Sequence, residues 1–286
     1  MNDPGDPRPI GMLDSGVGGL SVLREVRRLL PAESILYVAD QGHLPYGPRQ
    51  RDEIRGFVSG IARFLIEEQC KLIVVACNAA NAAALHNLRQ MYPDTPIVGM
   101  EPAIKPAAEH TRSGVIGVIT TKATFQSELF SSVIDRFAQG IRVETQVCPE
   151  LVILVEQGAH DTPQSRAIIA NYLEPLKVAH IDQLVLGCTH FPFLEKLLQA
   201  DLGPGVTIID PAPAVARQVG RVLEQHHLAN APTAVSSVRY VTSGDPEHLR
   251  RLLVSLIGES RADIRAARWE GGHFVISPSK ASDGSL

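Results

Sequence analysis

The sequence has no excess of positive charge. Its 27 lysines and arginines are outnumbered by 31 aspartates and glutamates, for a net charge of −4. That balance gives no basic footprint for nucleic acid. The arginine pairs Arg27-Arg28 and Arg250-Arg251 read as solvated helix faces. No apolar run approaches the roughly 18 residues of a membrane span. The first nine residues are polar and carry three prolines, without the basic start and apolar stretch of a secretory signal. Cysteine is scarce: Cys70, Cys77, Cys148 and Cys188, with no Cys-x-x-Cys pair. Neither a disulfide scaffold nor a metal site is indicated, and Cys188 with His190 supplies only two ligands. There is no Gly-x-Gly-x-x-Gly, no Gly-Lys-Ser/Thr and no lysine motif for pyridoxal phosphate. The expectations are a cytoplasmic protein with reduced thiols, no metal and no cofactor.

What is present is a soluble globular composition, 286 residues with 44% hydrophobic and 20% charged residues. The chain alternates short apolar runs with segments of helical periodicity, which argues for parallel sheets covered on both faces. Strands are expected at Ile10–Leu13, Ser34–Ala39, Leu72–Ala76, Pro96–Met100, Val115–Thr120, Ile141–Val147, Gln183–Leu186 and Thr207–Ile209. Helices are expected at Leu20–Leu30, Asp52–Gln69, Ala79–Met91, Thr124–Ala138, Ser165–Val178, Phe193–Ala200 and Ala214–Glu224. Val238–Val241 reads as an edge strand after a linker at 230–237, and Arg268–Ile276 as a further short element.

The runs ending at Cys77 and Cys188 resemble each other, so the pattern appears twice. It implies two similar parallel-sheet α/β lobes related by pseudo-twofold symmetry, with the active site in the cleft between them. The expected division is 1–99 plus 210–276 for the first lobe and 100–209 for the second, with 277–286 as a disordered tail.

Four segments carry chemistry. Asp14-Ser15-Gly16-Val17-Gly18-Gly19 is a glycine-rich turn between strand and helix. It suits either a carboxylate on backbone N–H groups or an ordinary capped turn. Cys77-Asn78 closes one strand where a helix begins, and Cys188-Thr189-His190 closes another. A strand-end cysteine is most often a small buried hydrophobe, but a following helix favours a thiolate and an imidazole can relay protons. Cys70 and Cys148 lack polar company and are assigned to packing. Glu156 closes the apolar run Leu151–Val155, an unusual place for a carboxylate that a solvated helix end would also explain.

Asp14–Leu20, Pro45-Tyr46-Gly47, Ala76-Cys77-Asn78 and Gly187-Cys188-Thr189-His190, in this order, resemble the glutamate racemases. The resemblance implies cofactor-independent interconversion of L- and D-glutamate, supplying D-glutamate for peptidoglycan. It assigns Cys77 and Cys188 as acid/base residues on opposite faces of the substrate Cα, Cys77 acting on D-glutamate and Cys188 on L-glutamate. Asp14 would assist Cys77, and His190, held by Glu156, would assist Cys188. Glutamate would lie among Asp14, Ser15, Tyr46, Gly47, Asn78, Ala79, Thr121, Thr189 and His190. A homodimer is implied, and a regulatory protein partner is the alternative role. A racemase of another acidic amino acid is a further alternative, with aspartate disfavoured by His190. One departure stands out: the family commonly has Thr or Ser where this chain has Ala79.

Overall fold

A computed structural model describes residues 5–159 and 161–278. The chain begins with β1 (Ile10–Asp14), α1 (Leu20–Leu29), β2 (Ile35–Ala39), α2 (Arg51–Glu67), β3 (Leu72–Val75), α3 (Asn78–Met91) and β4 (Ile97–Val98). A second series follows: α4 (Ile104–His110), β5 (Val115–Thr120), α5 (Lys122–Phe125), α6 (Glu128–Phe137), β6 (Arg142–Val147), α7 (Pro149–Glu156), α8 (Pro163–Val178), β7 (Gln183–Gly187), α9 (Glu195–Leu202) and β8 (Thr207–Ile209). The chain then returns through α10 (Ala212–Gln225), β9 (Val238–Thr242), α11 (Pro246–Ile257), β10 (Asp263–Glu270) and β11 (His273–Ile276).

These strands form two sheets. One has the order β11-β10-β9-β2-β1-β3-β4 and the other β6-β5-β7-β8. All pairings are parallel except that of β10 with β11. Within the larger sheet, β2-β1-β3-β4 repeats the order of the whole smaller one, which is the structural form of the repeat seen in the sequence. The central strands β1, β2, β3 and β7 are buried along their whole length, as their unbroken apolar runs require.

In this winding the connection from the first strand leaves to one side and that from its other neighbour to the opposite side. A crevice therefore opens at the carboxyl ends of β1 and β3, and another at those of β5 and β7. The residues just past those ends are Ser15, Cys77, Thr121 and Cys188. One of three apolar clusters among the described residues joins the two halves: Ile10, Leu20 and Tyr37 of one belong to the same packed cluster as Val155, Leu173 and Leu186 of the other.

Several expectations are corrected. Val238–Thr242 is internal, paired on both sides by β2 and β10. The segment 124–138 is broken at Gln126-Ser127, where Ser127 caps α6 by accepting from the Phe130 N–H. α9 starts two residues late because Phe191–Leu194 forms a 3-10 turn containing Pro192. Helices α4, α7 and α11 were not expected as elements. Of the tail 277–286, residues 279–286 lie outside the described residues. Among the described residues no helix is long and apolar enough to cross a membrane.

Candidate active site

Both helix-proximal cysteines open onto one cavity of about 280 Å³ between the two sheets. Its walls also contain Ser15, Tyr46, Gly47, Asn78, Ala79, Thr121, Thr189 and His190, while Asp14 and Glu156 lie behind them. Cys70 and Cys148 are buried elsewhere and do not line it.

Cys77 is the residue before α3, with the extended backbone that turns a strand into a helix. Its Sγ donates to Ser15 Oγ at 3.7 Å. Burial pushes this thiol up to about 12, and the negative charge of Asp14 adds to the effect. Asp14, at the end of β1, has no exposed surface. It accepts from the Gly16 N–H at 2.7 Å and from Thr189 Oγ1 at 3.3 Å. Burial raises its carboxyl to about 6, although the His190 charge and the backbone N–H groups of Gly16 and Gly19 pull the other way.

The second thiol has a different neighbour. Cys188 Sγ lies 3.7 Å from His190 Nδ1, and His190 Nε2 lies 2.7 Å from Glu156 Oε1. Burial alone would favour the neutral ring. Bonds to the Cys188 sulfur and to Glu156 outweigh it and hold the imidazole protonated well above its ordinary range. Burial likewise works against the charged form of Glu156, and its bond to His190 more than offsets that, keeping the carboxyl below its usual value. The result is a file of sulfur, imidazolium and carboxylate in which each ring N–H has an acceptor.

The glycine-rich turn is explained by this file. Its backbone does seat a carboxylate, but that of Glu156: the Val17 N–H donates to Oε1 at 2.7 Å. A Cβ on Gly16 would stand 1.9 Å from the same oxygen, and one on Gly18 would stand 2.4 Å from His190 Nδ1. The glycines are therefore the space into which the other half of the molecule brings its charged pair. Glu156 ends α7 and is buried, so the solvated helix end is excluded. Its remaining oxygen accepts from Gln41 Nε2 at 3.1 Å, and its backbone carbonyl lies 2.8 Å from His248 Nε2. Neither Gln41 nor His248 carried a signal in the sequence, because each acts only through a residue distant in the chain.

Two wall residues behave differently from one another. The Tyr46 hydroxyl is committed to Asp40 Oδ2 at 2.7 Å, and burial together with that carboxylate raises its pKa far above a free phenol. Tyr46 thus offers the cavity its ring and backbone rather than its hydroxyl. The Asn78 amide is buried, yet neither its oxygen nor its nitrogen has a hydrogen-bond partner among the described residues. An orphaned amide in a cavity wall is a costly arrangement unless a polar ligand completes it. Thr121 bonds to Thr124 at 3.2 Å and packs where a Cβ on Gly47 would meet it at 3.2 Å. Val147, Val152 and Ile153 form an apolar side of the cavity that was not anticipated. Val147 could have been found by the strand-end rule that located the cysteines. Among the described residues no group of three His, Cys, Asp or Glu side chains is placed to hold a metal ion.

Comparison with known proteins bears on the chain as a whole. Residues 10–219 match the family model described as Asp/Glu/Hydantoin racemase. A glutamate racemase of Ectopseudomonas mendocina is 50% identical over 251 residues, 88% of this chain and 95% of the relative. The structure of glutamate racemase from Thermus thermophilus in complex with beta-chloro-D-alanine superposes with a TM-score of 0.80 at 39% identity, covering 92% of this chain and 98% of that one. The Escherichia coli glutamate racemase, in complex with L-glutamate and the activator UDP-MurNAc-ala, gives 0.80 at 34% identity, covering 91% and 99%. The fold, the paired strand-end cysteines and these matches together place the chain in the Asp/Glu/hydantoin racemase family, among the glutamate racemases.

Proposed function

We propose that this protein interconverts L- and D-glutamate by two-base 1,1-proton transfer, with Cys188 and Cys77 as the bases. The observation that supports this reading is that two thiols share one small cavity and have opposite electrostatic company. A protonated His190 stands 3.7 Å from the Cys188 sulfur, whereas burial, with the charge of Asp14 adding to it, favours the protonated form of Cys77. The resting site is then set for one direction. Cys188 takes the Cα proton of L-glutamate, and the Cys77 thiol gives its proton to the opposite face, leaving D-glutamate, a Cys188 thiol and a Cys77 thiolate. The reverse direction runs from that second state, and proton exchange with water interconverts the two.

The Cα–H next to a carboxylate is a weak acid, so the developing carbanion needs donors already in place. The orphaned Asn78 amide, the Ser15 hydroxyl, the Lys122 side chain and the backbone around Gly47 and Ala79 are donors in the wall. Binding in a cavity between two halves also excludes water that would otherwise solvate and quench the intermediate. D-glutamate made this way would serve cytoplasmic synthesis of peptidoglycan.

Incubation with either enantiomer in deuterium oxide, without added cofactor, should give racemic glutamate with solvent deuterium at Cα. Cys77→Ala and Cys188→Ala should each lower racemisation by at least about 10³-fold, within the range of general acid–base groups. Racemisation that survives Cys77→Ala would overturn the two-thiol assignment. Turnover confined to another amino acid would overturn the substrate.

A further inference from the structure

Trp269 lies on β10, outside the span matched by the family model, and it does not line the cavity. It nevertheless reaches the cavity wall through one buried residue. Its indole Nε1 donates to Asp40 Oδ1 at 2.9 Å. Asp40 has no exposed surface, and its other oxygen accepts from the Tyr46 hydroxyl at 2.7 Å. Ser243 Oγ donates to Oδ1 at 2.6 Å, and His43 Nδ1 lies 3.0 Å from Oδ2. With these donors the carboxylate is saturated, so none can be lost without leaving a buried lone pair unmatched.

Apolar contacts reinforce the polar ones. The His43 ring stacks on Phe57 with centroids 3.8 Å apart, and Trp269 meets the edge of His43 at 5.3 Å. Tyr46 lies against the same Phe57 at 5.7 Å. On its far side the Tyr46-Gly47 stretch is tied to the other half of the molecule, where the Ala123 N–H donates to the Gly47 carbonyl at 2.9 Å. The wall loop is therefore clamped at both ends, and one clamp comes from the C-terminal strands.

We propose that Trp269 is a positioning residue for substrate binding, acting through Asp40 to hold the Tyr46-Gly47 wall at the distance glutamate requires. This rests on the glutamate reading above. Neither Trp269 nor Asp40 bonds to Cys188, His190 or Glu156 among the described residues, so loss of the clamp weakens ground state and transition state alike and appears in KM rather than kcat.

Trp269→Phe keeps the ring and removes the N–H. It should raise KM for both enantiomers about fivefold with kcat within twofold of the parent. An unchanged KM would overturn the proposal, as would a loss confined to thermal stability. The unsubstituted protein gives an independent test, since Trp269 is its sole tryptophan. Titration with glutamate should change tryptophan emission with saturation, at the concentration where calorimetry shows binding. Emission that stays constant while calorimetry shows saturation would overturn the proposal. Parent protein that binds glutamate with an emission change but does not racemise it would sink the functional reading while leaving the clamp supported.

Discussion

Asp14 illustrates at the scale of one residue how function is set against stability. Its carboxyl titrates near 6 when folded, against an ordinary value of 3.8. Between those values the native state holds more protons than the unfolded chain, so stability falls as pH rises through that window. Above it the folded protein carries a penalty of about 3 kcal/mol at most, at 1.36 kcal/mol per unit. Asp14→Asn keeps the acceptor for the Gly16 N–H and can donate to Thr189, without the charge. Urea unfolding should show the variant gaining roughly 1–3 kcal/mol over the parent at pH 8 and nothing at pH 4. An equal difference at both pH values would refute the assignment of the shift to Asp14. Ala79 poses the opposite case, a donor that is missing. It is buried in the cavity wall and offers only its backbone N–H. Ala79→Thr should lower KM for glutamate by up to about tenfold, the equivalent of one net hydrogen bond of about 0.5–1.5 kcal/mol. A KM that does not move would show that the position never meets the substrate. At this scale the sequence was informative wherever a reactive side chain ended an apolar strand. It was silent about Gln41, Asp40 and His248, whose partners lie far away in the chain.

At the scale of elements, the glycine turn after β1 is the clearest case of a local sequence answering a distant demand. Gly16→Ala would drive a methyl group into the Glu156 carboxylate and free one end of His190. We expect kcat to fall on the order of 10²-fold, the low end of an acid–base contribution, with the fold retained by circular dichroism. A variant with parental kcat would mean that Glu156 does not act through His190. The buried parallel strands were the most legible elements, because unbroken Val, Ile and Leu runs leave few other structures; β5 and β8 match their expected bounds residue for residue. Helix α7 was missed because it is apolar on every side, so no 3.6-residue stripe distinguishes it from a strand. The β9 strand was placed at an edge because its partner β10 begins with Asp263 and alternates charged with apolar residues, a pattern that conceals an internal neighbour.

At the scale of the whole molecule, the repeat of Cys77 and Cys188 at equivalent strand ends announced two halves, and β2-β1-β3-β4 against β6-β5-β7-β8 is that repeat in three dimensions. What could not be read was how the halves meet, since that depends on contacts between residues more than a hundred positions apart. Ser21 Oγ donates to the Thr189 carbonyl at 3.0 Å, and Val17 and Gln41 hold Glu156 from across the boundary. That last arrangement amounts to an interlock. The carboxylate that keeps His190 charged belongs to one half, but two of the donors that keep the carboxylate in place belong to the other. Parting the halves would take Val17 and Gln41 away from Glu156 and so loosen its hold on His190, in the same motion that admits water to the cavity.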